Sequence, residues 1–254
     1  MLKVCVPIVE TTVEKARRSI EKVQRLADLI ELRIDYLEKP RIKPLLLGND
    51  VPFIVTNRRR EEGGRYGSDE ASRLCLLEEA IDLGVDFIDV EWSTRRSLLQ
   101  RLFKRKEGTR IILSFHDFRG TPSRSKLESI RRQMLEYGAD VTKIVTLSHT
   151  YEDNLKTLSL IPRAREKGQP IVAFCMGEKG RMSRLFAPVM GAAWTYGCME
   201  KDRTSAPGQL TISEMKEIWE KMAQSAASKP RIVDQWGDNR TEPFRRRPYA
   251  QCAR

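Results

Sequence analysis

Gly138-Ala-Asp-Val-Thr-Lys-Ile-Val-Thr146 reads as a buried strand. Tyr137-Gly138 supplies the turn before it, and Val141, Ile144 and Val145 are β-branched residues that suit an enclosed pleated surface. Lys143 stands in the middle of the run. Burial strips an ammonium of its hydration, so the residue has three physical solutions. It can reach water at the strand end, pair with a carboxylate such as Asp140, or serve as a free amine. A free amine is the nucleophile that forms a Schiff base with a ketone or aldehyde. One lysine in one strand leaves all three open, and pairing or reaching water is the commoner outcome.

The stretches on either side repeat a strand-then-helix pattern. Val4–Ile8 is followed by Glu10-Thr11-Thr12 as a helix start and by Val13, Ala16, Ile20, Val23 and Leu26 at helical spacing. Leu29–Asp35 alternates Ile30, Leu32 and Ile34 with Glu31, Arg33 and Asp35. Val51–Thr56 is a strand, and Ser68-Asp69 caps a helix from Glu70 to about Asp82. Phe87–Glu91 is the fourth strand, with Ser93-Thr94 starting a helix over Leu98–Lys106. Arg110–His116 precedes a helix at Ser125–Tyr137, and the opening stretch precedes one at Tyr151–Glu166. Pro170–Cys175 leads to a short helix at Ser183–Val189; Ala192–Tyr196 leads through a long loop to Thr211–Ala223.

Eight such units predict a parallel sheet closed into an α/β (β/α)8 TIM barrel, a single catalytic domain over residues 1–227. A doubly wound open sheet is the competitor. It calls for a glycine-rich dinucleotide or phosphate loop, and the sequence has neither G-x-G-x-x-G nor G-x-x-x-x-G-K-[ST].

Composition narrows the function classes. The chain has 254 residues, 40% hydrophobic and 32% charged, with no apolar run long enough for a membrane span and no signal-peptide pattern at its start. Its five cysteines are scattered without a C-x-x-C pair, which points away from a disulfide framework or a zinc site and toward the reducing cytoplasm. The net charge of +11 raises two partners, nucleic acid and an anionic metabolite. Basic residues are interleaved with acidic ones, as on solvated, ion-paired helix faces. The basic tail 228–254 carries +4 of the total and little periodicity, and reads as a surface arm or strap of unknown role. A nucleic-acid module needs aromatics among its basic residues, and in the tail only Trp236, Phe244 and Tyr249 could serve.

Barrels carry their chemistry at the C-terminal ends of the strands. Polar residues gather there: Glu31 and Arg33, Arg58, Glu62 in the following loop, Asp89 and Glu91, His116, Lys143, Ser183-Arg184, and Thr204–Gln209. Each has a structural alternative. Glu31 and Arg33 could be an interior ion pair, Arg58–Arg60 a solvated run, and His116 a strand-end cap. His149, the other of the two histidines, begins a helix and reads as structural. Together they suit a small, anionic, hydroxylated carbonyl compound. Arginine forks bind carboxylates and hydroxyls, lysine takes the carbonyl and histidine moves the proton.

Seven motifs in order, Glu31-Leu-Arg-Ile-Asp35, Thr56-x-Arg58 with Glu61-Glu-Gly-Gly64, Ile88-Asp-Val-Glu91, Ser114-Phe-His-Asp117, Gly138–Lys143, Ser183-Arg-Leu185 and Ser205-Ala-Pro-Gly-Gln209, resemble the type I 3-dehydroquinate dehydratases. The resemblance covers residues 3 to about 225. It implies a (β/α)8 barrel, a homodimer, no metal and no organic cofactor. The activity it implies is the shikimate-pathway step that dehydrates 3-dehydroquinate to 3-dehydroshikimate, toward chorismate and the aromatic amino acids. It implies Lys143 as the Schiff-base lysine, His116 as general acid/base and Glu62 as the carboxylate bonded to that histidine. Glu31, Arg33 and Arg58 would hold the ring hydroxyls, Arg184 the substrate carboxylate, and Ser205 and Gln209 would sit on a closing loop. Nearby Arg33, Arg58 and Arg184 are expected to disfavour the ammonium form of Lys143. Two departures stand out: Pro7 where several members have serine, and Asn57 where phenylalanine is frequent. A class I aldolase shares the lysine chemistry, but its phosphate substrates call for glycine-rich loops after strands seven and eight. Ser183-Arg184 and Ala206-Pro-Gly-Gln209 suit a carboxylate better.

Overall fold

The structure is a computed structural model that describes residues 2–48, 50–201 and 206–227. Ser205 and the tail 228–254 lie outside the described residues. The chain divides into two compact units, Met1–Trp219 and Glu220–Arg254. The first holds the barrel; of the second, the described part is helical.

The strands are β1 (Val4–Ile8), β2 (Leu29–Arg33), β3 (Phe53–Thr56), β4 (Phe87–Glu91), β5 (Arg110–Asp117), β6 (Val141–Leu147), β7 (Ile171–Met176) and β8 (Thr195–Tyr196). Between and after them run α1 (Val13–Val23), α2 (Lys43–Leu46), α3 (Glu70–Asp82), α4 (Arg96–Arg105) and α5 (Arg124–Glu136). The series continues with α6 (Tyr151–Leu158), α7 (Leu160–Glu166), α8 (Arg181–Met190) and α9 (Ile212–Ala227). Every ladder is parallel, in the order β7-β6-β5-β4-β3-β2-β1-β8. At the seam between β7 and β8 the Ala193 N–H donates to the Ile171 carbonyl at 2.8 Å, and the Phe174 and Tyr196 rings meet at 5.9 Å. The result is the expected (β/α)8 barrel.

Local chemistry explains most boundaries. The Thr12 hydroxyl accepts the Lys15 N–H at 3.3 Å and the Asp69 carboxylate the Ser72 N–H at 2.9 Å, so both expected caps start their helices. Ser93-Thr94 does not cap α4. Arg95 holds that position, and the buried Thr94 hydroxyl instead accepts from Arg73 Nη2 at 3.1 Å. The single helix expected over Tyr151–Glu166 is two, broken at Ser159. Pro162 lacks the N–H that would reach Leu158, and its ring crowds that carbonyl. β2 ends at Arg33, and Ile34–Tyr36 turns as a 3₁₀ helix. The short α2 was not foreseen; four residues are too few to show a period. Pro7 sits inside β1 without harm, because β8 pairs only as far as Cys5, where its missing N–H is not needed.

The barrel interior is layered. A floor of Cys5, Leu29, Ile54, Phe87, Ile112 and Val172 packs as one cluster. Burying each large aliphatic or aromatic side chain contributes about 1.5–3 kcal/mol. Two residues further along β2 to β6 the same face turns polar: Leu29 gives way to Glu31, Ile54 to Thr56, Phe87 to Asp89, Ile112 to Ser114 and Val141 to Lys143. A further step brings Arg33, Arg58 and His116 to the mouth. Outside, Ile144, Ile171 and Ala173 pack on Leu158, Ile161 and Ala187. Among the described residues no helix is long and apolar enough to cross a membrane.

Candidate active site

A cavity of about 290 Å³ opens at the C-terminal ends of the strands. At its floor stands Lys143, opposite Ser114 in the β5–β6 register and 5% exposed. Its Nζ donates to Asp89 Oδ2 at 2.8 Å, to Tyr196 Oη at 3.0 Å and to Glu31 Oε1 at 3.4 Å. Glu31 is held in turn by the Thr56 hydroxyl at 2.8 Å. The amine therefore meets carboxylates and a phenol rather than the guanidiniums expected around it. Asp140 is not its partner either: that carboxylate bonds Lys106 Nζ at 2.9 Å at the other end of the strand.

A buried ion network runs from this amine to the barrel wall. Arg58 spans Asp89 Oδ1 at 2.7 Å, the Ser114 hydroxyl at 2.8 Å and Glu91 Oε1 at 3.1 Å. Glu91 accepts from Arg73 Nη1 at 2.7 Å, and Arg73 also donates to the Asn57 carbonyl at 2.9 Å. Burial pushes the Asp89 carboxyl up, but the charges of Arg58 and Lys143 outweigh it and hold the group far below the usual range. Burial works against the Arg58 cation, and Asp89 and Glu91 more than restore it. Asn57 is legible in these terms: its amide donates to the Arg73 carbonyl at 3.0 Å, so it tethers α3 where a phenyl ring would only pack.

His116 occupies the mouth above Lys143. Its Nδ1 lies 3.0 Å from Glu62 Oε2. A carboxylate at Nδ1 assigns the proton to that nitrogen and leaves the Nε2 lone pair free. Burial, then the Arg58 charge, depress the imidazole below its ordinary value, against the pull of Glu62. Burial raises the Glu62 carboxyl, but its bond to His116 and the charges of His116 and Arg58 bring it below the ordinary glutamate range. Glu62 reaches this place because the chain reverses at Gly63, with φ +77° and the Phe118 ring packed where a Cβ would sit.

Arg184 comes from α8 and is 1% exposed. Its guanidinium lies 4.3 Å from the Phe174 ring centre, donates to the Pro207 carbonyl at 3.4 Å and leaves Nε without a partner. No carboxylate pairs with it among the described residues, and burial pushes it down to about 10. The loop after β8 is pinned to the loop after β7. The Gly177 N–H donates to the Pro207 carbonyl at 3.2 Å, and a Cβ on Gly208 would strike the Gly177 carbonyl. Gln209, 7% exposed, faces the same cavity. Arg33 is gripped in two bonds by Asp35, at 2.9 and 2.8 Å, and also lines the cavity.

Glu31, Arg33, Arg58 and Glu62 thus meet His116, Lys143, Arg184 and Gln209 in one cavity. Ser205 lies outside the described residues. Two residues at the amine had been given no role: Asp89, which stood among the strand-end polar residues through its alternation with Ile88 and Val90, and Tyr196, which read only as part of an apolar strand. His149 stays structural, with Nε2 2.7 Å from the Arg119 carbonyl.

Comparison with known proteins agrees with this geometry. The family model for type I 3-dehydroquinase matches residues 4–226. The 3-dehydroquinate dehydratase of Desulfotalea psychrophila is 36% identical over 219 residues, 85% of this chain and 96% of that one. That of Methanocaldococcus jannaschii is 36% identical over 221 residues, covering 86% and 98%. Among solved structures, the type I 3-dehydroquinate dehydratase of Clostridium difficile with covalent modified comenic acid superposes with a TM-score of 0.77 at 28% identity, over 88% of this chain and 93% of that one. The match spans the whole barrel and every motif that lines its mouth, and the chain belongs to the type I 3-dehydroquinase family.

Proposed function

We propose that the protein dehydrates 3-dehydroquinate to 3-dehydroshikimate through an imine on Lys143, with His116 moving the protons. The observation that carries this reading is the pairing of Lys143 on the cavity floor with a neutral imidazole, fixed by Glu62, at the mouth.

The substrate is a β-hydroxyketone, and the proton to be removed lies α to the ketone and is weakly acidic. Converting the ketone to an iminium on Lys143 supplies an electron sink. His116 Nε2 takes the α-proton, giving an enamine. The enamine expels the β-hydroxyl, which leaves as water with the proton returned by the imidazolium. Hydrolysis of the conjugated iminium frees the enone and Lys143. The iminium does the work of an electrophile, so the chemistry calls for neither metal nor organic cofactor. Arg184 takes the substrate carboxylate, a role that suits a buried guanidinium lacking an anion. Arg33, Arg58, Glu31 and Gln209 meet the ring hydroxyls, and the family motif assigns Ser205 to substrate binding as well. The reading includes the homodimer that the family resemblance implies, and places the reaction in the shikimate pathway. The direct test is incubation of purified protein, treated with EDTA, with 3-dehydroquinate. Appearance of the conjugated-enone absorbance is the expected result, and no product, or product only with added metal, refutes the reading.

A further inference from the structure

Tyr196 closes β8 directly against the Lys143 amine. It is 3% exposed, its ring packs on Phe174, and its hydroxyl lies 3.0 Å from Nζ and 3.5 Å from Glu31 Oε1. Both Tyr196 and Lys143 line the cavity. A phenylalanine would fill the same space, so packing alone does not account for the hydroxyl. Burial, then the Glu31 charge, push the phenol well above its ordinary value, and it stays protonated while the enzyme works. A protonated hydroxyl in contact with an amine can accept one proton and give up another in the same movement.

Imine formation needs such a movement. Resting Lys143 is an ion-paired amine between Asp89 and Glu31. An ammonium and a ketone become an iminium and water, so two protons must travel from nitrogen to the carbonyl oxygen. In the reaction proposed above, His116 serves the α-carbon and the β-hydroxyl. Resting on the imine reading above, we propose that Tyr196 is a further catalytic residue that relays both protons from Lys143 Nζ to the substrate's ketone oxygen.

In the first transfer, a proton passes from Nζ to Oη while the phenol proton passes to the carbonyl oxygen. The freed nitrogen pair forms the C–N bond as the carbonyl π pair moves to oxygen, giving a protonated carbinolamine. In the second, another Nζ proton follows the same path to the hydroxyl. The C–O bond breaks, water leaves, and the nitrogen pair completes the iminium. Each transfer returns the phenol to its starting state, and no outside acid or base is consumed.

The test uses the full-length protein mixed rapidly with 3-dehydroquinate and quenched with borohydride, the rate of adduct formation being read by mass. It compares parent, Tyr196→Phe, His116→Ala and the double variant. Tyr196→Phe keeps the ring on Phe174 and the Lys143–Asp89 pair. Adduct formation should slow about 10²-fold in Tyr196→Phe relative to parent, and by a similar factor in the double variant relative to His116→Ala. A primary isotope effect from α-deuterated substrate should shrink in Tyr196→Phe, because imine formation then limits turnover. Equal adduct rates with and without the hydroxyl overturn the relay and leave the imine reading standing. No adduct in the parent overturns both.

Discussion

Nδ1 of His116 lies 3.0 Å from Glu62 Oε2, and the Ser93 hydroxyl bonds the other oxygen of that carboxylate at 2.5 Å. The carboxylate is thus held from behind and fixes which imidazole nitrogen is free. Because burial and Arg58 depress the imidazole below 6.5, His116 is a ready base through neutral pH. The acid limb of kcat/KM should therefore fall below pH 6.5. Glu62 raises the imidazole value, so Glu62→Gln should move that limb further to acid while lowering kcat. A pH–rate profile of both proteins checks this; a limb above 6.5, or a shift toward neutral in the variant, contradicts it. The same depression affects stability. His116 favours the folded state fully above 6.5, and that contribution is lost as pH falls through the lower folded-state value.

Arg184→Ala should weaken substrate binding by about 2–4 kcal/mol, seen as a raised KM, since a charge-assisted contact in a closed site is lost. The native guanidinium has no anionic partner among the described residues, so its removal relieves an uncompensated buried cation. The Tm should hold or rise. An unchanged KM with unchanged kcat removes Arg184 from the site.

Arg73 is 1% exposed and does not line the active-site cavity, yet it anchors Glu91, and through Glu91 the Arg58–Asp89 pair that holds Lys143. Arg73→Ala strips a fully buried carboxylate of one of its two guanidiniums. It should destabilise the fold by about 3–5 kcal/mol in urea denaturation. A loss below about 1 kcal/mol would show that the network does not depend on this link.

How much of this was legible follows from where each signal lies. Glu31 and Arg33 were visible because a barrel strand alternates with period two, and polar residues on its inner face have no solvent to explain them. His116 and Lys143 stood out as rare side chains in apolar runs. Arg184 and Gln209 were placed at the mouth by following strands seven and eight, but their roles needed the family motifs, since nothing in a helix start or a loop fixes which side chain enters a cavity. The partners of Lys143 were misjudged for the same reason. Sequence spacing puts Asp140 close along the strand, whereas Asp89 and Tyr196 each come from two strands away, on opposite sides of β6. Arg73 sat in a run of helix polarity, and only packing against Asn57 and Thr94 reveals it as interior. The break at Ser159 was written in Pro162, three residues into α7, where a helix start tolerates proline and a helix interior does not.

The central claim is that Lys143 carries the substrate covalently while His116 moves protons. Borohydride reduction in the presence of 3-dehydroquinate, read by intact mass, separates the two roles. The parent protein and His116→Ala should both gain the mass of the reduced adduct, with turnover in His116→Ala down by about 10²–10⁴. Lys143→Ala should gain no mass and lose turnover by several orders of magnitude. Adduct on Lys143→Ala, or near-normal turnover by that variant, would contradict the claim and leave Lys143 as a paired strand lysine.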